Sequence, residues 1–370
     1  PALRTVLDGM VAAQAASGRL QARLDDASRE RFANAALGLT LHEAEHAFAR
    51  ALGGRDAPRL EVVHEEKRQA VRKSGLLEYV DAEVDLDDVG GLEHLKRWLH
   101  KRNRTWLAEA AAYGLPAPRG VLITGVPGCG KSLTAKAVAA AWELPLLRFD
   151  VSRVFAGLVG SSEQNMRTAI RVAEAVSPCV LWVDEIEKGL VNAGNDSGTS
   201  TRVFGTFLTW LQEKVRPVFV IATANDIERL PTELLRKGRF DEIFFVDLPT
   251  RAERESIWRL HLERKLCFPA VAGALTVTDG VLRELAELSA GHSGAEIEQA
   301  VVTAIFDAFA ERRPLHRDDL VRAVVSTVPL SVTQAERIAE IRRWAETRAV
   351  AATAAEDWDL GDAPERATGV

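Results

Sequence analysis

Residues 125–132 read Gly-Val-Pro-Gly-Cys-Gly-Lys-Ser, a complete GxxxxGK[ST] pattern, and few motifs of eight residues fix so much of the structure around them. The preceding run 119–124 (RGVLIT) is apolar and β-prone, and 133–142 (LTAKAVAAAW) is rich in strong helix formers. The glycines therefore sit where a strand turns into a helix. Gly125, Gly128 and Gly130 permit backbone angles closed to other residues, so successive N–H groups can converge on phosphate oxygens at a helix N-terminus. In such a loop Pro127, Gly128, Cys129, Gly130 and Leu133 wrap the phosphates, Lys131 brings a positive charge to the β- and γ-phosphates, and Ser132 offers a hydroxyl to Mg²⁺. An ordinary glycine-rich strand-to-helix turn needs neither Lys131 nor Ser132.

A second element follows at the expected distance. Residues 179–183 (CVLWV) form a continuous apolar run, suited to a strand covered on both faces in a parallel sheet, and Asp184-Glu185 closes it. Acidic residues after a buried strand are often only a solvated edge. Paired with the phosphate loop, they predict a nucleotide-hydrolysing site in which Asp184 holds Mg²⁺ through water and Glu185 orients and deprotonates the attacking water. The cofactors predicted are thus ATP and Mg²⁺.

Bulk properties restrict the alternatives. A chain of 370 residues can bury a large core and hold two or three domains. A net charge of −6 gives no general attraction to nucleic acid or anionic membrane. Cys129, Cys179 and Cys267 are scattered and odd in number, which speaks against a disulfide framework or metal site and for a reducing compartment. No apolar stretch approaches the roughly 20 residues of a membrane-spanning helix. Cys129 lies at a helix N-terminus, where a thiol's pKa falls, so oxidative sensitivity is an expectation; burial as an inert filler is the competing one.

The chain opens on Pro1 rather than Met, which suggests a piece of something longer. Residues 2–24, 27–37 and 40–52 read as amphipathic helices of a small bundle, and 62–71 (VVHEEKRQAV) as a charged connecting helix. After Pro249 the pattern is helical, at 251–265, 279–289, 294–312 and 316–328. A further helix over 331–351 carries Ile338, Ile341 and Trp344, which fit either a neighbouring subunit or the chain's own core. Residues 356–370 lack periodicity and read as a flexible tail.

From Asp85 onward the ordered motifs resemble AAA ATPases. These are Asp88-Val89-Gly90-Gly91, the phosphate loop, Asp184-Glu185, Thr223-Ala224-Asn225, Arg236-Lys237-Gly238-Arg239-Phe240-Asp241 and Gly291-His292-Ser293-Gly294-Ala295-Glu296-Ile297. Within that superfamily the chain looks closest to AAA proteins encoded as a conserved hypothetical reading frame in chloroplast genomes, cyanobacteria and other bacteria. The resemblance implies an α/β fold: an AAA+ P-loop domain with a parallel five-stranded sheet flanked by helices over 83–250, and an all-α C-terminal lid over 251–330. A C-terminal helix (331–352) and a tail (353–370) would follow. The all-α N-terminal segment 1–58 then resembles the lid of an upstream degenerate ATPase-like domain, with 59–82 as a linker.

The same resemblance assigns roles. Val89 and Gly90 would read adenine through the backbone, with His292, Gly294 and Ala295 near the ribose and base. Asn225 would polarise the hydrolytic water beside Glu185, although a lone Asn after a strand is often a turn residue. Arg236 and Arg239 would reach the γ-phosphate held by a neighbouring subunit, which implies a homo-oligomer, usually a hexamer; their bland alternative is a solvated basic turn. A protein substrate would be gripped at Leu158 and Val159 in a first pore loop, where strong threading enzymes commonly carry an aromatic in place of Leu158. The stretch 189–201 fits a second pore loop or a plain connector. An Asp-Gly-Phe-like intersubunit element has no counterpart at Leu211-Gln212-Glu213-Lys214. The expected work is Mg²⁺-dependent ATP hydrolysis coupled to remodelling of a protein partner, in a bacterial cytosol or plastid stroma. The alternatives are a nucleic-acid-stimulated motor and an ATP-gated recruitment module in which hydrolysis is a timer.

Overall fold

The computed structural model describes residues 2–16, 24–36, 39, 41–53, 59–81, 84–107, 110, 112–155, 161–191, 197–236, 238–273 and 275–353. The pore positions Leu158 and Val159, the centre of the second candidate loop at 192–196, Lys237 and the tail 356–370 lie outside these residues.

Helices α1 (Ala2–Ala16), α2 (Asp26–Ala35), α3 (Leu41–Leu52) and α4 (Leu60–Ser74) open the chain. Leu7, Phe32, Phe48, Leu52 and Val63 close into a separate small core, as helical spacing of the apolar positions requires. Helix α4 does more than connect. Its Lys67 is buried and donates to Val176 O at 3.3 Å, while Val71 enters the main core. Gly75, in the left-handed region, stops the helix and turns the chain into β1 (Leu77–Val80). A strand thus stands within the stretch 59–82 expected as a linker.

The sheet contains β1, β2 (Gly120–Gly125), β3 (Leu146–Phe149), β4 (Cys179–Val183), β5 (Val218–Ala224), β6 (Glu242–Val246) and β7 (Val350–Ala351), in the order β1-β3-β4-β5-β2-β6-β7. The five central strands run parallel, as expected. Two short additions cover the edges: β1 pairs antiparallel with β3, and β7 parallel with β6. They occupy edge backbone groups that would otherwise be open to pairing with another chain.

Because successive strand residues face opposite sides, β2 sends Leu122 to one core and Val121 and Ile123 to the other. The first core is completed by α7 (Ser161–Val176) and α8 (Ser197–Glu213), through Met166, Ile170, Phe207 and Leu211. The second is completed by α5 (Glu93–His100) and α6 (Lys131–Ala141), through Leu95, Leu99, Ala135 and Val138. The C-terminal ends of β2, β4, β5 and β6 all open on one rim of the sheet, where doubly wound folds bind ligands.

The helical region over this rim has its own core. Helices α9 (Arg251–Leu266), α10 (Asp279–Leu288), α11 (Gly294–Ala310) and α12 (Arg317–Val325) pack around Trp258, Leu262, Leu285, Ile297 and Leu320. Helix α13 (Ala335–Arg348) buries Ile338, Ile341 and Ala345 within the chain and is tied to the end of β6 by Arg342, which forks onto Asp247 at 2.8–3.1 Å. The helix expected to reach residue 351 ends at Arg348, because Val350 and Ala351 leave it to pair with β6.

Candidate active site

Local sequence explains the phosphate loop's shape. Gly125 leaves β2 at φ +139, and a Cβ there would collide with Val246 O. Gly130 caps α6 in the left-handed region at φ +84, a conformation that glycine adopts without strain. Lys131 is 5 % exposed, and its ammonium donates to Gly125 O at 2.9 Å and Val126 O at 2.7 Å. Burial holds its pKa down to about 8, against the opposing pull of nearby carboxylates.

The carboxylates at the end of β4 are locked from several sides. Asp184 Oδ1 accepts from Ser132 Oγ at 3.1 Å and from Thr223 Oγ1 at 2.9 Å, and Arg148 stands 3.5 Å from Oδ2. Thr223 in turn accepts the Glu185 N–H at 3.0 Å, so β5 positions both acidic residues. Glu185 lies in the left-handed region at φ 47, uncommon for a non-glycine residue. Asn225 Nδ2 donates to its Oε1 at 2.8 Å, and Lys188 pairs with its Oε2. The Asn225 N–H is itself held by Glu187 Oε1 at 2.9 Å, and desolvation raises the Glu187 pKa.

The phosphate loop, the two carboxylates, Thr223 and Asn225 line one cavity of about 510 Å³ between the sheet rim and the helical lid. Val89, Gly90, Pro127, Gly128, Cys129, Gly130, Lys131, Ser132, Leu133, Asp184, Glu185, Asn225, Gly294 and Ala295 all take part. The lid closes directly on the loop: Ala295 N donates to Gly128 O at 3.0 Å, and a Cβ on Gly128 would stand 3.0 Å from Ser293 Oγ.

Three sequence-selected residues lie elsewhere. His292 is 3 % exposed, does not line the cavity, and its two ring nitrogens have no hydrogen-bond partner among the described residues. The chain turns at Gly291, and Gly294 and Ala295, two and three residues beyond His292, reach the wall. Arg236 and Arg239 also stand outside the cavity, with Arg236 exposed and 3.8 Å from Glu233, and Arg239 donating to Glu233 O. Of the two readings of Cys129, the direction of its pKa favours the inert one. Desolvation pushes its pKa up to about 12, overcoming the nearby Lys131 charge, and the thiol donates to Pro127 O at 3.6 Å.

The structure adds residues that sequence reading missed. Ile257, Leu260 and His261 of α9, with Glu298 of α11, form the lid side of the cavity, and burial lowers the His261 pKa. Glu253 joins three stretches of the chain: Oε1 accepts from Leu92 N at 2.9 Å and Thr353 Oγ1 at 2.8 Å, while Oε2 accepts from Thr250 N, at the start of its own helix, at 2.9 Å. The signal for Glu253 was legible as the capping box Thr250-x-x-Glu253.

The residues fit a nucleoside triphosphate with Mg²⁺. Ser132 and Asp184 present adjacent hard oxygens, the ligand type that Mg²⁺ takes, and among the described residues the loop ammonium has only backbone carbonyls as hydrogen-bond acceptors.

Comparisons with known proteins agree with this geometry. Residues 121–248 match the ATPase family associated with various cellular activities (AAA), and residues 1–74 match the second domain of SpoVK-like AAA ATPases. The chain is 48 % identical over 292 residues, 78 % of its length and 58 % of the relative's, to the uncharacterized AAA domain-containing protein ycf46 of Pyropia yezoensis. It is 40 % identical over 331 residues to its counterpart in Trieres chinensis, covering 88 % of this chain and 65 % of that protein. The chain thus spans about three fifths of these curated relatives. The Archaeoglobus fulgidus cell division cycle protein 48 homolog is 34 % identical over 58 % of this chain and 29 % of its own length. In fold, the crystal structure of the FIGL-1 AAA domain superposes with a TM-score of 0.61 at 23 % identity, over 77 % of this chain and 96 % of that one. The chain carries a domain of the AAA ATPase family, and its nearest likeness among these proteins is to the plastid-encoded members of that family.

Proposed function

We propose that this chain hydrolyses ATP with Mg²⁺ as part of a homo-oligomer, a hexameric ring, and that turnover remodels a protein partner. One observation carries the reading: Lys131, Ser132, Asp184, Glu185 and Asn225, from three separate stretches of sequence, meet around one cavity. Mg²⁺ held by Ser132 and Asp184 would neutralise charge on the β- and γ-phosphates. Lys131 moves from its loop carbonyls to those phosphates. Glu185 takes the proton from the attacking water, and Asn225 fixes the carboxylate by its Oε1. Lys188 must leave Oε2 for that oxygen to serve as base, and its exposure leaves it free to swing away.

The positions of Arg236 and Arg239 support a shared site. Both lie off the cavity of their own chain, where a neighbouring copy could receive them as permanent, planar cations against developing phosphate charge. The match of residues 1–74 to a second AAA-type domain supports reading 1–58 as the lid of an upstream unit. Plastid-encoded relatives and three unpaired cysteines support a reducing compartment such as a plastid stroma or bacterial cytosol. Among the described residues no helix is long and apolar enough to cross a membrane.

The test is phosphate release by the wild-type protein, Glu185→Gln and Arg236→Ala, with nucleotide binding measured in parallel. Both variants bind ATP at near wild-type affinity and lose turnover by about a hundredfold or more, and Glu185→Gln retains the protein partner. Undiminished turnover in either variant contradicts the role given to that residue.

A further inference from the structure

The turn that carries Arg236 and Arg239 is fastened to the body at both ends. Leu234 and Phe240 are buried in the first core, and Arg236, between them, is exposed. Gly238 stands between the two arginines at φ +95, in the left-handed region that favours glycine. Its carbonyl accepts from Arg119 Nη1 at 2.6 Å, and the atom nearest to a Cβ built on Gly238 is that same nitrogen, at 3.8 Å. The guanidinium of Arg119 thus underlies the turn, through a charge-assisted hydrogen bond of the stronger kind.

Arg119 is itself held in place. Asp241 Oδ2 accepts from Arg119 N at 2.7 Å and from Gly120 N at 3.0 Å, Asp241 N donates to Gly120 O at 2.8 Å, and Val220 N donates to Arg119 O at 3.1 Å. Lys214 braces the residue before it, joining Pro118 O at 3.3 Å to Val218 O at 2.5 Å. A side chain fixed by such a shell can fix what it touches in turn. Arg119 does not line the nucleotide cavity and points at a carbonyl of its own chain, whereas the guanidinium of Arg236 lies 3.8 Å from the carboxylate of Glu233 on its own turn. The anchor begins β2, and the strand ends at Gly125, whose carbonyl accepts from Lys131 at 2.9 Å. The phosphate loop and the arginine turn are therefore attached to opposite ends of one strand.

Resting on the shared site proposed above, we infer that Arg119 is a positioning residue for hydrolysis in the neighbouring copy. Its guanidinium holds the Gly238 carbonyl and so sets where Arg236 and Arg239 present their charge to the adjacent γ-phosphate. A misplacement of about 1 Å at a reacting centre costs on the order of a hundredfold in rate, so an anchor outside the cavity is felt in kcat without contact with the nucleotide.

The test uses the full chain. Arg119→Met keeps the apolar stem and removes the donors; it lowers kcat by about tenfold or more, while nucleotide affinity stays within about twofold of wild type and assembly is retained. Titrated into Lys131→Ala, it regains turnover, because its own cavity is intact and the Lys131→Ala chain supplies a correctly held arginine turn. A misfolded or damaged cavity gives no such recovery. The mixture of Arg236→Ala with Lys131→Ala is the control. Recovery in the control but not with Arg119→Met overturns this proposal alone, as does an undiminished kcat in Arg119→Met; no recovery in the control removes the shared site and the role of Arg119 with it. Should Arg119→Met fail to assemble, Arg119→Gln, polar but too short to reach Gly238 O, is judged by the same kcat and the same mixture.

Discussion

Lys131 shows how one side chain ties the loop's conformation to solution conditions. Its pKa of about 8 reflects burial, and a bound triphosphate requires the protonated form. Above about pH 8 nucleotide binding must therefore take up a proton, so affinity falls by up to about tenfold per pH unit there and is flat below pH 7. Titration calorimetry in buffers of different ionisation enthalpy measures that uptake directly, and a flat affinity through pH 9 would contradict the assignment. Lys67 gives the complementary case for stability. Its pKa is lowered from 10.5 to about 8 by desolvation, so the unfolded state binds more protons between those values and stability rises with pH across that window. Below it the penalty is constant, and Lys67→Met, which removes the buried charge, should raise stability at pH 7 by roughly 2–3 kcal/mol. Chemical denaturation at pH 7 and near pH 10 checks this, since the gain should shrink at the higher pH; a variant less stable at pH 7 would show that the ammonium is worth more than its burial costs.

At the scale of elements, the lid is pinned by charge as well as packing. Asp319 accepts from Arg313 at 2.6 and 2.8 Å and from His316 N at 3.0 Å, and the Arg313 hydrogen bonds hold its carboxyl below the usual range. A depressed carboxylate contributes stability above its unfolded pKa and loses it as pH falls through the folded value. Asp319→Asn should lower the melting temperature at pH 7 and narrow its gap to wild type on acidification; a gap constant down to pH 3 would refute the linkage. The strand-to-helix turn at Gly125–Lys131 and the acidic end of β4 were legible in sequence because short-range rules decide them: glycine angles, a helix start, a buried parallel strand. The edge strands were not. β7 has two residues and its partner Phe245 lies about a hundred positions away, and β1 follows a charged helix with no alternation long enough to read. The lid wall at Ile257, Leu260 and His261 was hidden for another reason, since one face of an amphipathic helix looks the same whether it meets core or ligand. At Gly291–Ala295 the motif marked the segment, but sequence alone does not fix which neighbours of a tight turn line the cavity, here Gly294 and Ala295.

For the whole molecule, the nucleotide cavity joins the sheet rim, the lid and the C-terminal strand. Glu253 bridges Leu92 and Thr353, and Arg342 anchors α13 to Asp247 on the cavity wall. The lid is therefore tied to the α/β body by hydrogen bonds at more than one point. If the arginines placed off their own cavity serve a neighbouring copy, as proposed, the rate per chain should climb with protein concentration and level off when assembly is complete. The most direct test is Mg²⁺-stimulated phosphate release per chain across a dilution series spanning assembly, followed by titration of Arg236→Ala into Lys131→Ala. Each variant alone should be inactive, and mixing should restore turnover because one supplies an intact cavity and the other the arginine. A constant rate per chain on dilution, with no recovery on mixing, would contradict a site completed between copies.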